Sequence, residues 1–226
     1  MATDLGVKRS HSTPVLTTGS DTSTADRIIT VAVWLAVAAV AGQIATQIVD
    51  FSVYDLRIAA LNSDVHMSIF GILSLAAQAA TVAAVAARCL LATRRTRTGW
   101  LLLGALVLVL LAVRAVLPDD PIALLVPVGI AFVLFWGLTL DDYPRARAIV
   151  RVALLLLAIS FVIHIVGPKI IDALGYGYRT WPYEIKALSK HTTELAGWIL
   201  ISAGIFAGGL GGSRITSWST LRNWRR

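Results

Sequence analysis

The sequence predicts an all-α integral membrane protein, a bundle of six transmembrane helices with both termini in the cytoplasm. Three observations lead to this fold class. First, 57% of the 226 residues are hydrophobic and only 15% are charged, whereas soluble domains carry about 25% charged residues. Second, six apolar stretches are long enough to cross a hydrocarbon layer of about 30 Å, which takes about 20 residues. Third, Lys and Arg residues are concentrated in alternate connections between these stretches.

The six predicted transmembrane helices follow one another with short connections. Each is expected to be helical because a backbone polar group cannot face lipid without a hydrogen-bond partner. In a secretory signal the apolar stretch would lie close to Lys8 and Arg9, but the first predicted helix begins only at residue 27. It is therefore predicted to remain in the protein as a transmembrane helix. The turn before the fourth contains Pro118 and Pro121, which predicts an antiparallel hairpin. The helices are predicted at residues 27–49, 65–91, 99–117, 121–140, 147–167 and 184–210.

The chain divides into three parts by composition. Residues 1–26 are rich in Ser and Thr and are predicted to form a disordered cytoplasmic tail. Residues 27–210 form the six-helix transmembrane domain. Residues 211–226 combine Trp and Arg and are predicted to lie on the inner leaflet as a basic cytoplasmic tail.

The orientation follows from the distribution of charge. The two tails and the connections on their side hold 14 Lys and Arg residues, and the opposite side holds 6. Positive charge favours the cytoplasmic side, so a multi-pass protein of the cell membrane is predicted, with both termini inside. The net charge of +7 is explained by this topology and by contact with membrane lipids, and nucleic acid is not an expected partner. The single cysteine, Cys89, excludes an intrachain disulfide or a cysteine-based metal cage.

Small residues predict where helices pack closely. Three glycines recur every fourth residue at the end of the last helix and form a smooth strip: Gly204, Gly208 and Gly212. The strip is expected to pack inside the bundle, and the alternatives are a homodimer or a partner transmembrane helix. On the fifth helix a second stripe recurs every seventh residue and is expected to face the bundle: Ala153, Ser160 and Gly167.

Polar side chains converge on the predicted outer ends of the helices. His164 shares a face with Ser160 and Gly167, and His191 lies near the outer start of the sixth helix, three residues before Glu194. Gln43, Gln47 and Asp50 follow at spacings of 4 and 3 on the first helix. The predicted site for ligand binding or proton exchange comprises His66, His164, His191, Glu194, Asp50 and Arg114. Each of these residues also has a structural interpretation as a helix-end, headgroup-level or ion-paired group, and the cap of the second helix is expected at Ser63 or Asp64.

Three hypotheses for function follow from this cluster and from the glycine strip. In the first, an outer-leaflet cavity binds or moves a small polar, proton-coupled or lipid-headgroup ligand, and His191 and Glu194 exchange protons. In the second, an intramembrane enzyme uses the same groups on a lipid-borne substrate, either as acid and base or as ligands of a divalent metal, with His164, His191 and Glu194 as the alternative metal set. In the third, the protein is an accessory membrane subunit with a structural role.

The sequence motifs assign no catalytic residue and require no cofactor. The sequence contains no HExxH, GxSxG, P-loop or dinucleotide-binding motif in a suitable context. A haem between two histidines is a further alternative to the divalent metal. The sequence is therefore compatible with both a binding protein and an enzyme.

Two segments carry a resemblance: Leu61–Thr81 (LNSDVHMSIFGILSLAAQAAT) and Tyr183–Phe206 (YEIKALSKHTTELAGWILISAGIF). They resemble corresponding stretches of a family of uncharacterised bacterial six-helix multipass membrane proteins. Its members often carry an acidic pair, two intervening residues, a Glu and, three residues on, a Gly in the last helix. Glu194 and Gly197 match the latter part, and a Lys–His pair replaces the acidic pair. The resemblance implies a multipass membrane fold and no particular activity.

Overall fold

The computed structural model describes residues 20–55, 58, 60–61, 68–116, 121–140 and 142–212, without the side chains of residues 20–22, 95, 114–116, 121–124 and 211–212. These residues form six α-helices and, within the described ranges, no strand. The helices are α1 (Ser20–Val53), α2 (Ile69–Leu91), α3 (Arg94–Val116), α4 (Pro121–Leu138), α5 (Pro144–Ala173) and α6 (Trp181–Gly212). Five of them, all except α4, are long and apolar enough to cross a membrane; α4 contributes a shorter apolar stretch, Leu125–Leu138. The architecture is consistent with a multi-pass helical membrane protein.

Successive helices run in opposite directions, so their ends meet in two groups. At one end, called the termini end, Arg88 near the end of α2 forms an ion pair with Asp142 just before α5. The Arg88 guanidinium also lies 5.0 Å from the ring centroid of Trp100 on α3. At the other end, called the distal end, Phe51 of α1 packs on Trp181 of α6 with ring centroids 4.3 Å apart. All six helices therefore extend between the same two ends.

Helix α6 is the centre of the bundle. It packs against α1, α2 and α5, while α3 packs on α2 and α4 packs on α3. In its most apolar stretch 61% of the residues are buried, compared with 17–33% in the other four long helices. Polar groups on α6 are consequently the ones most enclosed by protein. The largest apolar side chains completely enclosed by the bundle include Leu103, Leu154, Leu195, Ile201 and Ile205.

Small residues bring α5 and α6 together. A Cβ atom at Gly204 would lie 2.7 Å from the Val150 side chain and 3.3 Å from the Ala146 carbonyl oxygen, and one at Gly208 would overlap the Asp142 carboxylate. Gly204 and Gly208 therefore lie against α5 and the turn before it. The surroundings of Gly212 fall outside the described side chains.

The small-residue stripe on α5 lies against the same helix, as predicted. The Ser160 hydroxyl donates a hydrogen bond of 2.9 Å to the Lys190 carbonyl oxygen. A Cβ atom at Gly167 would lie 2.9 Å from the Lys186 side chain, and Ala153 is completely buried. The face of α5 that carries these three residues therefore contacts α6.

Every helix except α4 starts three to seven residues from its predicted position, and for two of them, α1 and α2, the structure shows the cause. Helix α1 begins at Ser20, so residues 20–26, which the sequence assigned to the disordered tail, are helical. A tertiary contact stabilises this additional helical segment. Asp26 accepts a hydrogen bond of 2.9 Å from the Tyr143 hydroxyl and forms an ion pair with Arg145 at 3.2 Å. The hydrogen bond to Asp26 raises the pKa of Tyr143 above its ordinary value of 10.0. The remainder of the predicted tails, residues 1–19 and 213–226, lies outside the described residues.

The second difference concerns the start of α2. Its cap is Ser68, whose hydroxyl accepts a hydrogen bond of 3.1 Å from the backbone N–H of Gly71. The expected caps, Ser63 and Asp64, precede the helix by several residues and lie outside the described residues. The apolar pattern upstream of Ser68 had suggested an earlier start, but Ser68 satisfies a free N–H group of the first turn.

Candidate functional site

Helix α1 presents a buried polar face to the bundle at its distal half. Gln43, Gln47 and Asp50 are each at most 1% exposed, and their spacings of 4 and 3 place them on one face. The Gln47 side-chain amide donates a hydrogen bond of 2.6 Å to the Glu184 carboxylate of α6. Asp50 accepts a hydrogen bond of 3.1 Å from the backbone N–H of Ile58. One predicted site residue, Asp50, thus joins α1 to the chain that follows it.

Glu184 is a site residue that the sequence interpretation missed. Its side chain is 3% exposed. It lies in the first turn of α6, where the positive end of the helix dipole stabilises a carboxylate. The sequence feature that could have identified Glu184 is its spacing from His191 and Glu194. The three residues are seven and three positions apart and therefore share one side of a helix.

The structure brings His191 and Glu194 together directly. Nδ1 of His191 lies 3.8 Å from Oε2 of Glu194, and the two side chains are 18% and 13% exposed. Because α6 begins at Trp181, these residues lie about 15 and 20 Å along a helix about 48 Å long. The pair therefore lies deeper in the bundle than the outer start of the helix, where the sequence interpretation had put it.

Helix α2 adds polar groups at the same depth. The Thr81 hydroxyl lies 3.5 Å from the carbonyl oxygen of Trp198 on α6. Since α2 and α6 run in the same direction with the same rise, Ser74, seven residues before Thr81, lies at about the depth of His191. Ser74 and Gln78 are both 3% exposed. These two residues were also missed, since Ser and Gln within an apolar helix carry no charge to mark them.

Several of these buried atoms have no hydrogen-bond partner among the described residues. They are the amide nitrogen and oxygen of Gln43, Oγ of Ser74, Oε1 of Gln78, Oδ2 of Asp50 and the indole nitrogen of Trp198. A buried polar atom without a partner costs about 1–3 kcal/mol, so native proteins satisfy such atoms with water or a ligand. We call the following residues the interior polar cluster: Gln43, Gln47, Asp50, Ser74, Gln78, Glu184, His191 and Glu194.

His164 approaches this cluster from α5. It lies between Ser160 and Gly167, both of which contact α6, and is half-buried. Ser160 bonds to Lys190, the residue before His191, so His164 lies about one helical turn closer to the distal end than His191. In the described part of the chain, no three His, Cys, Asp or Glu side chains are grouped to hold a metal ion. His164, His191 and Glu194 are therefore not assembled as a three-ligand group in this structure.

Two predicted site residues are not among the described side chains. His66 lies outside the described residues, and so does the side chain of Arg114, although its backbone belongs to α3. Their membership of the site stays a prediction.

Comparison of the chain with family models, with curated proteins and with solved structures found no match in any of the three. The resemblance of the Leu61–Thr81 and Tyr183–Phe206 segments to bacterial multipass proteins therefore stays a prediction. What is established is a helical bundle with apolar outer surfaces whose central helix carries buried ionisable groups.

Proposed function

We propose that the protein binds and moves a small polar, proton-coupled ligand between the distal end and the interior of the bundle, with His191 and Glu194 exchanging the proton. The observation that carries this proposal is the position of the His191–Glu194 pair, largely buried on the most enclosed helix. Ionisable groups inside a membrane bundle are costly, and they usually belong to proton or substrate pathways. An imidazole beside a carboxylate can share and pass on one proton within the physiological pH range.

Glu184 extends this arrangement towards the distal end. It precedes His191 by two helical turns on the same side of α6, and the hydrogen bond from Gln47 holds its carboxylate in place. The order Glu184, His191, Glu194 is thus a series of proton-accepting groups that leads from the distal end into the bundle. Asp50, on the neighbouring face of α1, adds a fourth proton-accepting group at that end.

The neutral members of the interior polar cluster indicate the chemistry of the ligand. Gln43 offers both a donor and an acceptor, Ser74 a hydroxyl group and Gln78 an amide oxygen. A small molecule with hydroxyl, amide or amine groups satisfies such atoms, whereas an apolar molecule leaves them unpaired. The ligand class is therefore small and polar.

The orientation of the protein is part of the proposal. The termini end carries exposed arginines at the starts of α1, α3 and α5, namely Arg27, Arg94, Arg97 and Arg145. Positive charge favours the cytoplasmic side, so we assign both termini to the cytoplasm, the distal end to the outside and the protein to the cell membrane.

Proton movement in proteoliposomes tests this function with the proton itself as the probe. A K⁺ diffusion potential set with valinomycin drives protons inward, and a trapped pH-sensitive dye reports their arrival. The parent should acidify the lumen faster than protein-free liposomes, and Glu194→Gln and His191→Gln should each lower that rate about tenfold, equivalent to about 1.4 kcal/mol. The matched control is Asp172→Asn, which changes an exposed acid at the end of α5 and should keep the parent rate. A parent rate equal to that of protein-free liposomes, or unchanged rates in both variants, would contradict the proposal.

A further inference from the structure

We infer that a groove between α1 and α6, in the half of the bundle nearest the termini end, binds one anionic phospholipid. In this arrangement Arg27 contacts the headgroup phosphate and an acyl chain lies along the groove. This inference does not rest on the proposed proton exchange, because none of its residues belongs to the interior polar cluster.

The groove is an open, mainly apolar depression on the membrane-facing surface. Its volume is about 380 Å³, and its walls include Arg27, Val31, Leu35, Ile199, Ser202 and Ala203. Because Ser202 and Ala203 have small side chains, the groove is deeper on the α6 side. The Ser202 hydroxyl donates to the Ile199 carbonyl oxygen at 2.9 Å, so it is satisfied within its own helix. The walls of the groove beyond Arg27 are therefore suited to hydrocarbon.

The exposed flank of the groove shows what medium surrounds it. Val31 is 66% exposed and Leu35 is 56% exposed, and both lie within a helix apolar enough to cross a membrane. Lipid hydrocarbon is thus the environment of this surface. From Arg27 to Leu35 the groove extends about 12 Å along α1, a length suited to the upper part of one acyl chain.

Arg27 supplies the specificity for an anionic headgroup. Among the described residues that line the groove it is the one charged residue, and its side chain is exposed. The adjacent acid, Asp26, is already engaged by Tyr143 and Arg145. Within the described ranges, no ion pair to Arg27 is formed. A planar guanidinium binds phosphate oxygens in a bidentate manner, and anionic lipids are attracted to clusters of basic residues near the membrane surface.

The test compares bound lipid in variants of the purified full-length chain. Protein in mild detergent is incubated with equal amounts of phosphatidylglycerol and phosphatidylcholine, and retained lipid is counted by native mass spectrometry. The parent should retain one phosphatidylglycerol per chain in preference to phosphatidylcholine. Arg27→Gln should abolish that preference, and Ala203→Leu, which fills the groove, should lower the retention of both lipids.

The control variant is Arg94→Gln, which removes an exposed arginine at the same end but outside the groove, and it should retain the parent preference. Equal loss in Arg94→Gln and Arg27→Gln would overturn the inference, because it would indicate general charge attraction. Parent-like preference in Arg27→Gln would also overturn it. A parent species that contains two chains and no lipid, and that dissociates in Ala203→Leu, would show that a second copy occupies the groove instead.

Discussion

The Gln47 side chain on α1 donates a hydrogen bond to the Glu184 carboxylate on α6, with 2.6 Å between Nε2 and Oε2. The two residues are 137 positions apart in the chain and lie at the distal end of the bundle. Their contact fixes the first acid of the series Glu184, His191, Glu194, so the geometry of the site depends on how α1 packs against α6.

Removal of the Gln47 amide should destabilise the bundle. Gln47→Leu keeps the approximate volume but removes one hydrogen bond to a buried carboxylate, which is worth about 1–3 kcal/mol. Thermal unfolding in detergent should show a lower midpoint, and the double variant Gln47→Leu/Glu184→Leu should regain part of the loss. Ile48→Leu, at the neighbouring lipid-facing position, is the control and should be neutral. Parent-like stability of Gln47→Leu would mean that the contact contributes nothing.

The close approach of α5 and α6 should make Gly204 intolerant of any side chain. In Gly204→Ala the new methyl group would lie 2.7 Å from the Val150 side chain and 3.3 Å from backbone atoms of α5, and overpacking of this kind costs about 1–3 kcal/mol. The same substitution at Gly129 of α4 meets open space and should be neutral or slightly stabilising, since Ala favours a helix. Equal unfolding midpoints for the two variants would show that the helices separate without cost.

The ion pair at the termini end should stabilise the junction of α2, α5 and α6. Asp142→Ala removes the partner of Arg88, whose side chain is only 16% exposed, and should lower stability by about 1–3 kcal/mol. Asp172→Ala changes an exposed acid of α5 and should have little effect. Unfolding in detergent measures both variants, and an equal response of the two would show that the Arg88–Asp142 pair is energetically neutral.

Cysteine labelling should distinguish the two ends of the bundle. In a Cys89→Ser background, Gly177→Cys introduces a thiol in the open loop before α6, and Thr98→Cys introduces one at an exposed position near the start of α3. With cytoplasmic termini, an impermeant thiol reagent added to intact cells should label Gly177→Cys, and should label Thr98→Cys only after lysis. The reverse pattern would invert the assigned orientation and assign the distal end to the cytoplasm.

The main features of the fold could be predicted from local sequence. Hydrophobic length alone indicated all six helices, and the small-residue stripe indicated the face of α5 that meets α6. The spacing of His191 and Glu194 likewise predicted their contact, because residues three apart on a helix are neighbours. Each of these inferences depends on residues within one helix.

The features that escaped prediction depend on contacts between distant segments. Helix α1 begins at Ser20, and Asp26 near its start contacts Tyr143 and Arg145. No local sequence pattern indicates this contact. Glu184 is buried because Gln47 lies opposite it, which requires the packing of α1 on α6 to be known. The depth of His191 in the bundle likewise depends on where α6 begins. The polar residues near Trp181 made this start difficult to predict from the sequence.

The titration of His191 in the membrane tests the central claim most directly. Histidine ring signals are followed by NMR in lipid nanodiscs for the parent, Glu194→Gln and the control Asp172→Asn, and His191 is assigned with His191→Gln. If the two groups share a proton, their titrations are coupled. The His191 midpoint should then differ between the parent and Glu194→Gln by more than about 0.5 pH unit, or about 0.7 kcal/mol, and should be unchanged in Asp172→Asn. A His191 midpoint near 6.5 that is the same in the parent and Glu194→Gln would contradict the account.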